Sequence, residues 1–198
     1  MTVETIELAG KIAWVVFAIT WYVLRHPFNR RARRVRVADD RLKLDERMRL
    51  AISSIGLGVI PAVYVFSGEP SFADYTASPW LFAAGILAGI ASMVLFRLTH
   101  KALGRMWSVS LQLKEGHTLI TEGIYRYLRH PMYSAFWLLA LTQALLLPNW
   151  FAGLAGLVGF GALFTLRIGP EERMMEAAFG DQYRAYKART WRVIPFIF

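Results

Sequence analysis

The chain has 198 residues, 56% of them hydrophobic and 14% aromatic, and its 23 Lys and Arg against 14 Asp and Glu leave a formal charge of +9. So much apolar surface joined to so much positive charge excludes a disordered chain and argues against a plain soluble globule. With no Cys, disulfide scaffolds, thiolate metal sites, iron–sulfur clusters and cysteine nucleophiles are excluded as well, and no metal site is expected from the other residue types.

A helix needs about 17 to 25 mostly apolar residues to cross a hydrocarbon core about 30 Å thick, because each residue adds about 1.5 Å. The first such stretch is residues 8–24, interrupted only by Lys11. Acidic Glu4 and Glu7 precede it and a basic block follows, the reverse of a cleavable signal peptide. Residues 25–49 carry ten Lys and Arg interspersed with Asp39, Asp40, Asp45 and Glu46, and have no Gly or Pro after Pro27, so a helix on the cytoplasmic face is expected. Residues 50–66 and 80–96 are uncharged and form the second and third spans. The segment between them, with Gly68, Pro70 and Pro79, reads as a simple exposed connection. Residues 131–147 and 150–166 are the last two spans, and only Pro148 and Asn149 separate them, which demands a tight antiparallel helical hairpin.

The connections fix an orientation. Counted between these spans, 22 of the 23 basic residues fall on alternate connections, and cytoplasmic segments are the ones that collect Lys and Arg. The expected fold is therefore all-α, a polytopic integral membrane protein with about five transmembrane helices, its N-terminus outside and its C-terminus cytoplasmic. A bacterial or archaeal inner membrane is the expected location. The positive charge reads as topology and contact with anionic lipid head groups rather than as a nucleic-acid footprint, since no recognition fold accompanies it.

The polar residues that carry chemistry gather after residue 96. Gly116-His117 is followed by Thr121-Glu122-Gly123-Ile124-Tyr125-Arg126-Tyr127-Leu128-Arg129-His130-Pro131-Met132-Tyr133, and beyond the hairpin come Arg167-Ile168-Gly169-Pro170-Glu171-Glu172 and then Phe179-Gly180 with Tyr183 and Tyr186. Singly, each piece has an ordinary account. Pro131 suits a first helical position with His130 at the cap. Pro170 before two acids suits the positive start of a new helix, and Tyr183 and Tyr186 suit a membrane-interface belt. Arg-His-Pro also occurs at residues 25–27, where it ends a span instead of starting one, and that copy reads as coincidence.

The ordered set, G-x-Y-R-Y-x-R-H-P-x-Y, a hydrophobic hairpin, R-x-x-x-E-E and F-G-x-x-Y, resembles the isoprenylcysteine carboxyl methyltransferase family and its relatives the phospholipid N-methyltransferases. The likeness covers about half the chain. It divides the chain into residues 1–96, expected to complete the bundle and shape a lipid-side entrance, and residues 97–198, the methyltransferase core. It implies S-adenosylmethionine as cofactor, held by His117, Gly123, Tyr125, Arg126, His130, Pro131, Tyr133, Glu171, Glu172, Tyr183 and Tyr186, with Arg167 and Glu171 as the catalytic pair. Aromatic faces tolerate a sulfonium charge, cationic and amide donors hold a carboxylate, and glutamates accept from amino and ribose groups.

Arg167 lies four residues before Glu171, which puts both on one helical face if the helix continues through Gly169 and Pro170, where a kink is expected. Such a pair at the membrane boundary would clamp the polar head of a lipidic or prenylated acceptor. A carboxylate acceptor needs no general base, whereas an amine or thiol would recruit Glu171. An isoprenylcysteine carboxylate is the first expectation. An amine-bearing phospholipid and an NADPH-dependent membrane reductase of the sterol-reductase type stay open, as does a non-enzymatic role.

Overall fold

The computed structural model describes residues 2–32, 43–104 and 118–197. Its elements are α1 (Val3–Ala32), α2 (Lys43–Ser54), one π turn (Ile55–Val59) that runs straight into α3 (Ile60–Ser67), α4 (Pro79–Leu103), α5 (Pro131–Leu146) and α6 (Trp150–Ala188), with short 3-10 turns at Ser71–Ala73 and Gly123–Arg126. Extended pairing among the described residues is confined to two isolated bridges, so the class is all-helical. Four segments, Val3–Arg30, Asp45–Ser67, Pro79–Leu103 and Trp150–Ala188, are long and apolar enough to cross a membrane. The chain is a polytopic integral membrane protein.

Of the five expected spans, the fourth differs. Helix α5 has 16 residues, so it reaches about 24 Å at 1.5 Å per residue, short of a hydrocarbon core of about 30 Å. The first span is longer than expected. Helix α1 continues through Pro27 to Ala32, and the turn beyond the proline is held by Phe28, which is buried and lies 4.7 Å, centroid to centroid, from the His100 ring of α4. Lys43 to Glu46 open α2, so the basic segment is helical at both ends, and its middle, residues 33–42, lies outside the described residues.

Apolar residues turn two ways. Leu8, Ile12, Val16, Ile19 and Val23 are exposed at three- and four-residue spacing along α1, as are Leu87, Ile90, Val94 and Leu98 along α4, giving outward apolar stripes suited to lipid. Inside, α4 packs on α1 and α5, and α6 packs on α5, α2 and the π turn. Phe96, Phe136 and Phe160 join α4, α5 and α6 through an edge-on contact and a stack. Without a hydrophobic drive between helices in lipid, close approach depends on small residues and interhelical hydrogen bonds. Ser92 donates to the Ala135 carbonyl at 2.8 Å. A methyl group on Gly159 would meet the Ile52 carbonyl oxygen at 2.9 Å and Gly56 Cα at 3.2 Å, so α6 and the π turn touch only because both are glycines there. Gln143 of α5 donates to the carbonyls of Gly56 and Ala152, at 3.0 and 2.7 Å, pinning that crossing.

The segment after α3 is not the simple exposed connection its composition suggests. Ala73 and Ala77 are buried, and Asn149, fully buried between α5 and α6, donates to the Pro70 carbonyl and to Asp74 at 2.7 Å each. The same Asn149 side chain accepts from Ala152 N at 2.7 Å and caps α6. Composition could not reveal a partner 75 residues away. Replacing Asn149 by Ala removes the cap and strands buried groups, so unfolding in detergent should be easier by about 2 to 3 kcal/mol. A thermal melt checks this, and an unchanged melting temperature would show the loop to be held by other contacts.

Helix α6 continues through Pro170, the place of the expected kink, with its backbone angles still helical. Its backbone leaves the helical region at Gly180 instead, with φ 52° and ψ −126°. That is a left-handed conformation which a side chain resists. The break lets residues 181–188 turn back toward the start of α5.

Candidate functional site

Backbone pairing first brings the two ends of the core together. Trp191 N donates to the Tyr127 carbonyl at 3.0 Å, Arg129 N to the Trp191 carbonyl at 2.8 Å, and His130 N to the Arg192 carbonyl at 3.0 Å. Leu128 and Trp191 thus form a parallel bridge. Tyr186 donates to the carbonyls of Tyr125 and Leu128, at 2.7 and 3.3 Å, and Ser134 donates to the Val193 carbonyl at 2.5 Å. The C-terminal strap therefore lies directly over the Arg-His-Pro turn.

Around this turn sits a cavity of about 640 Å³. Tyr125, His130, Tyr133, Arg167, Glu171, Tyr183 and Tyr186 all line it, so seven of the residues expected at the site share one wall. Tyr133 donates its hydroxyl to Glu171. His130 Nδ1 lies 3.7 Å from Glu171 Oε1, and its Nε2 lies 3.4 Å from Glu172 Oε1. The same-face expectation for Arg167 and Glu171 holds: Nε and Oε2 are 3.8 Å apart. The Tyr183 hydroxyl is buried and has no hydrogen-bond partner among the described residues.

Other expected residues stand elsewhere. Gly123 (φ 60°) opens the 3-10 turn that contains Tyr125 and is exposed, and Arg126 is exposed and off the cavity wall. Pro131 is buried at the start of α5, where it sets the helix entry. Glu172 is buried behind His130 as an ion-pair hub. It accepts from Arg129 Nε at 3.1 Å and from Arg192 Nε and Nη2 at 3.1 and 2.9 Å, with Lys187 at 3.8 Å. Arg129 also donates to the carbonyls of Lys187 and Thr190. His117 lies outside the described residues.

Two participants come from the first 96 residues. Glu46, in the first turn of α2, is buried and meets Arg167 Nη1 at 3.0 Å. Arg25, from the Arg-His-Pro copy that read as coincidence, lines the cavity with its guanidinium 5.0 Å from the Trp21 ring centroid. Trp14, Phe17 and Trp21 of α1 and Leu50 and Leu57 of the second span extend the wall away from the polar end. The N-terminal division therefore builds part of the chamber itself as well as completing the bundle. Nothing in the sequence singles out Glu46 from Asp39, Asp40 and Asp45 of the same basic segment.

His130 has a titration to read. Burial alone would lower its pKa, but hydrogen bonds and charge from Glu171 and Glu172 outweigh that and hold it above the ordinary value of 6.5. A raised folded value means that the protonated ring's stabilisation is complete below 6.5 and is lost as pH rises through the folded value. The melting temperature should accordingly fall as pH is raised above 6.5, and His130→Gln should flatten that slope. Equal slopes in the two proteins would place the titration elsewhere.

As a physical object the site is a two-part chamber, with ionic and phenolic groups at one end and an apolar lobe between membrane-length helices at the other. A model of the isoprenylcysteine carboxyl methyltransferase (ICMT) family matches residues 82–177. Protein-S-isoprenylcysteine O-methyltransferase B of Arabidopsis thaliana is 30% identical over 120 residues, which cover 60% of this chain and 61% of that protein. The probable protein-S-isoprenylcysteine O-methyltransferase of Oryza sativa subsp. japonica is 28% identical over 188 residues, 93% of each chain. Protein-S-isoprenylcysteine O-methyltransferase of Schizosaccharomyces pombe is 36% identical over 89 residues, 45% of this chain and 38% of that protein. The matched part thus spans about three fifths of the Arabidopsis relative and nearly all of the rice one.

Proposed function

We propose that the chain is a member of the isoprenylcysteine carboxyl methyltransferase family, whose model matches residues 82–177, and that it methylates the carboxylate of a prenylated cysteine, with S-adenosylmethionine, the donor this family uses, as cofactor. The observation that carries the reading is the chamber itself, which joins Arg167, Glu171, Tyr133 and His130 at one end to Trp14, Phe17 and Leu139 at the other. A molecule with a charged head and a long apolar tail fits no other shape as well. The tail lies among helices that lipid already surrounds.

The cofactor's requirements match groups on the wall. The buried Tyr183 hydroxyl, without a partner among the described residues, supplies a hydrogen bond awaiting a ligand. Tyr125, Tyr133 and Tyr186 offer aromatic faces to a sulfonium, and the His130–Glu171 side offers both charge and acceptors. When bound, the cofactor supplies an electrophilic methyl carbon whose bond pair stays on sulfur as the new carbon–oxygen bond forms. The chain's own part is positioning: nucleophile and carbon must be held about 3 to 3.5 Å apart with water excluded. Arg167 would orient the acceptor carboxylate, which is ionised at neutral pH and needs no base. Glu171 supports that role, since its oxygens are engaged by Tyr133, His130 and Arg167 and would have to give these up to take a proton.

The orientation is likewise proposed: five spans, the short α5 completing its crossing with the residues that flank it, N-terminus outside, C-terminal strap and chamber mouth on the cytoplasmic side. It is supported by the alternation of basic residues along the chain. Single Cys residues at Ser71 and Thr118 should label from opposite sides of the membrane. For the activity, purified protein should be melted with S-adenosylhomocysteine and, separately, with NADPH. Stabilisation by the first alone, together with methyl transfer to N-acetyl-S-farnesylcysteine, is the expected result. Stabilisation by NADPH alone would turn the chamber into a reductase site.

A further inference from the structure

The strap ends in an apolar run that the chamber does not use. Ile194, Pro195, Phe196 and Ile197 are all exposed, Phe196 by 83% and Ile197 by 79%. The run is folded back rather than trailing: Ile197 N donates to the Ile194 carbonyl at 3.2 Å, and the Phe196 ring lies 4.5 Å, centroid to centroid, from that of Trp191. Its depth follows from α5. Arg129 N, His130 N and the Ser134 hydroxyl donate to the carbonyls of Trp191, Arg192 and Val193, which fixes the strap beside the first turn of that helix. Helix α5 has 16 residues, about 24 Å against a hydrocarbon core of about 30 Å, so its flanks fall at the edge of the hydrocarbon and not beyond it. The end of the strap therefore lies at the level where head groups meet acyl chains.

We propose that residues 194–197 are an interfacial anchor, inserted among the lipids of the bilayer that the chain spans, and that lipid thereby holds the strap down over the Arg-His-Pro turn. Aromatic and branched apolar side chains are favoured at this level, whereas in water a run of four would be a costly exposed patch. Lipid is the occupant rather than a second copy of the chain. A bilayer already lies at this depth, and four residues are few against the roughly 20 to 30 a side that a stable protein interface takes. Exposed Arg189, which precedes the run, suits anionic head groups. The contact reaches the chamber through charge: Arg192 of the strap meets Glu172 at 2.9 Å, and Glu172 lies 3.4 Å from His130. Lipid that seats the strap also seats the back of the polar end, whatever substrate the chamber takes.

The chain has no Cys, so a single one introduced by Ile197→Cys, or by Ile194→Cys as a second position, takes a thiol-reactive fluorophore alone. Each labelled protein is reconstituted into vesicles of phosphatidylcholine and phosphatidylglycerol, with Asp181→Cys as the water-side reference. Asp181 has a side chain 96% exposed and lies about 20 Å along α6 from Arg167. A lipid carrying a nitroxide high on its acyl chain should quench both strap labels about three-fold or more over the Asp181 label, and aqueous iodide should do the reverse. Strap labels open to iodide would put the run in water. Labels shielded from both quenchers would put a protein surface over it, and either result overturns the proposal. The hold on the strap is read in the same vesicles by hydrogen exchange at Arg129 and His130, whose amides donate into it. Ile194→Ser combined with Ile197→Ser should speed that exchange about ten-fold or more. Equal rates would show the strap to be held by protein contacts alone and would likewise overturn the proposal.

Discussion

Arg167→Lys should lower methyl transfer to a prenylcysteine acceptor by about ten-fold or more, equivalent to about 1.4 kcal/mol or more of lost transition-state stabilisation, although the positive charge is kept. The reason is the number of partners. Arg167 is buried, touches Glu46 through Nη1 at 3.0 Å and faces Glu171 through Nε at 3.8 Å. A guanidinium holds several donors in one rigid plane and can serve α2, its own helix and an acceptor at fixed angles, whereas an ammonium has one nitrogen to share among them. Affinity for S-adenosylhomocysteine should change little, because the aromatic and His130 side of the chamber is untouched. Normal turnover, or a joint loss of cofactor affinity and turnover, would remove the acceptor-clamp role from this residue.

Glu172→Ala should be the most destabilising single change at the polar end of the bundle, by about 3 to 5 kcal/mol, because it leaves buried positive charge without its counter-ion. Glu172 and Arg129 have side chains only 7% and 9% exposed, and Arg192 brings the strap onto the same carboxylate. Without the hub the strap loses its charge contact while the backbone pairing with residues 127–130 remains. Cofactor affinity should drop as well, since His130 is held between Glu171 and Glu172. Thermal melts and S-adenosylhomocysteine titrations of the same sample read both effects. A stable variant that has lost only cofactor affinity would mean that Glu172 meets the ligand directly.

Hydrophobic length and the short link at Pro148 and Asn149 were legible because both depend on neighbouring residues. The order of Tyr125, His130, Tyr133, Arg167, Glu171, Tyr183 and Tyr186 was legible as a resemblance, and the cavity gathers these residues on one wall. What stayed hidden was long-range. Nothing near Glu46 in the chain says that it meets Arg167, and nothing near Asn149 says that it holds Asp74. Pro170 illustrates a different point. Proline lowers helix propensity locally, but α6 is framed by packing on both sides and continues, and the real break falls at Gly180, where the backbone needs a conformation that other residues resist. Arg25 was set aside because its motif sat at the wrong end of a helix. A motif match tests sequence context, and this residue reaches the cavity from a helix that the motif does not describe.

The π turn at Ile55–Val59 amounts to one extra residue in the ladder of the second span. Each helical residue advances the azimuth by about 100°, so deleting one residue from this turn would restore ordinary winding and rotate everything before it by that angle about the helix axis. Glu46, nine residues upstream of the turn, would swing off Arg167 toward a neighbouring quadrant, while Gly56 would lose its alignment with Gly159. The turn thus acts as a phase adjuster between two contacts on one rod, the glycine crossing deep in the bundle and the carboxylate at its polar end. Insertions and deletions in residues 55–59 should consequently be far less tolerated than substitutions on the exposed face of the same segment.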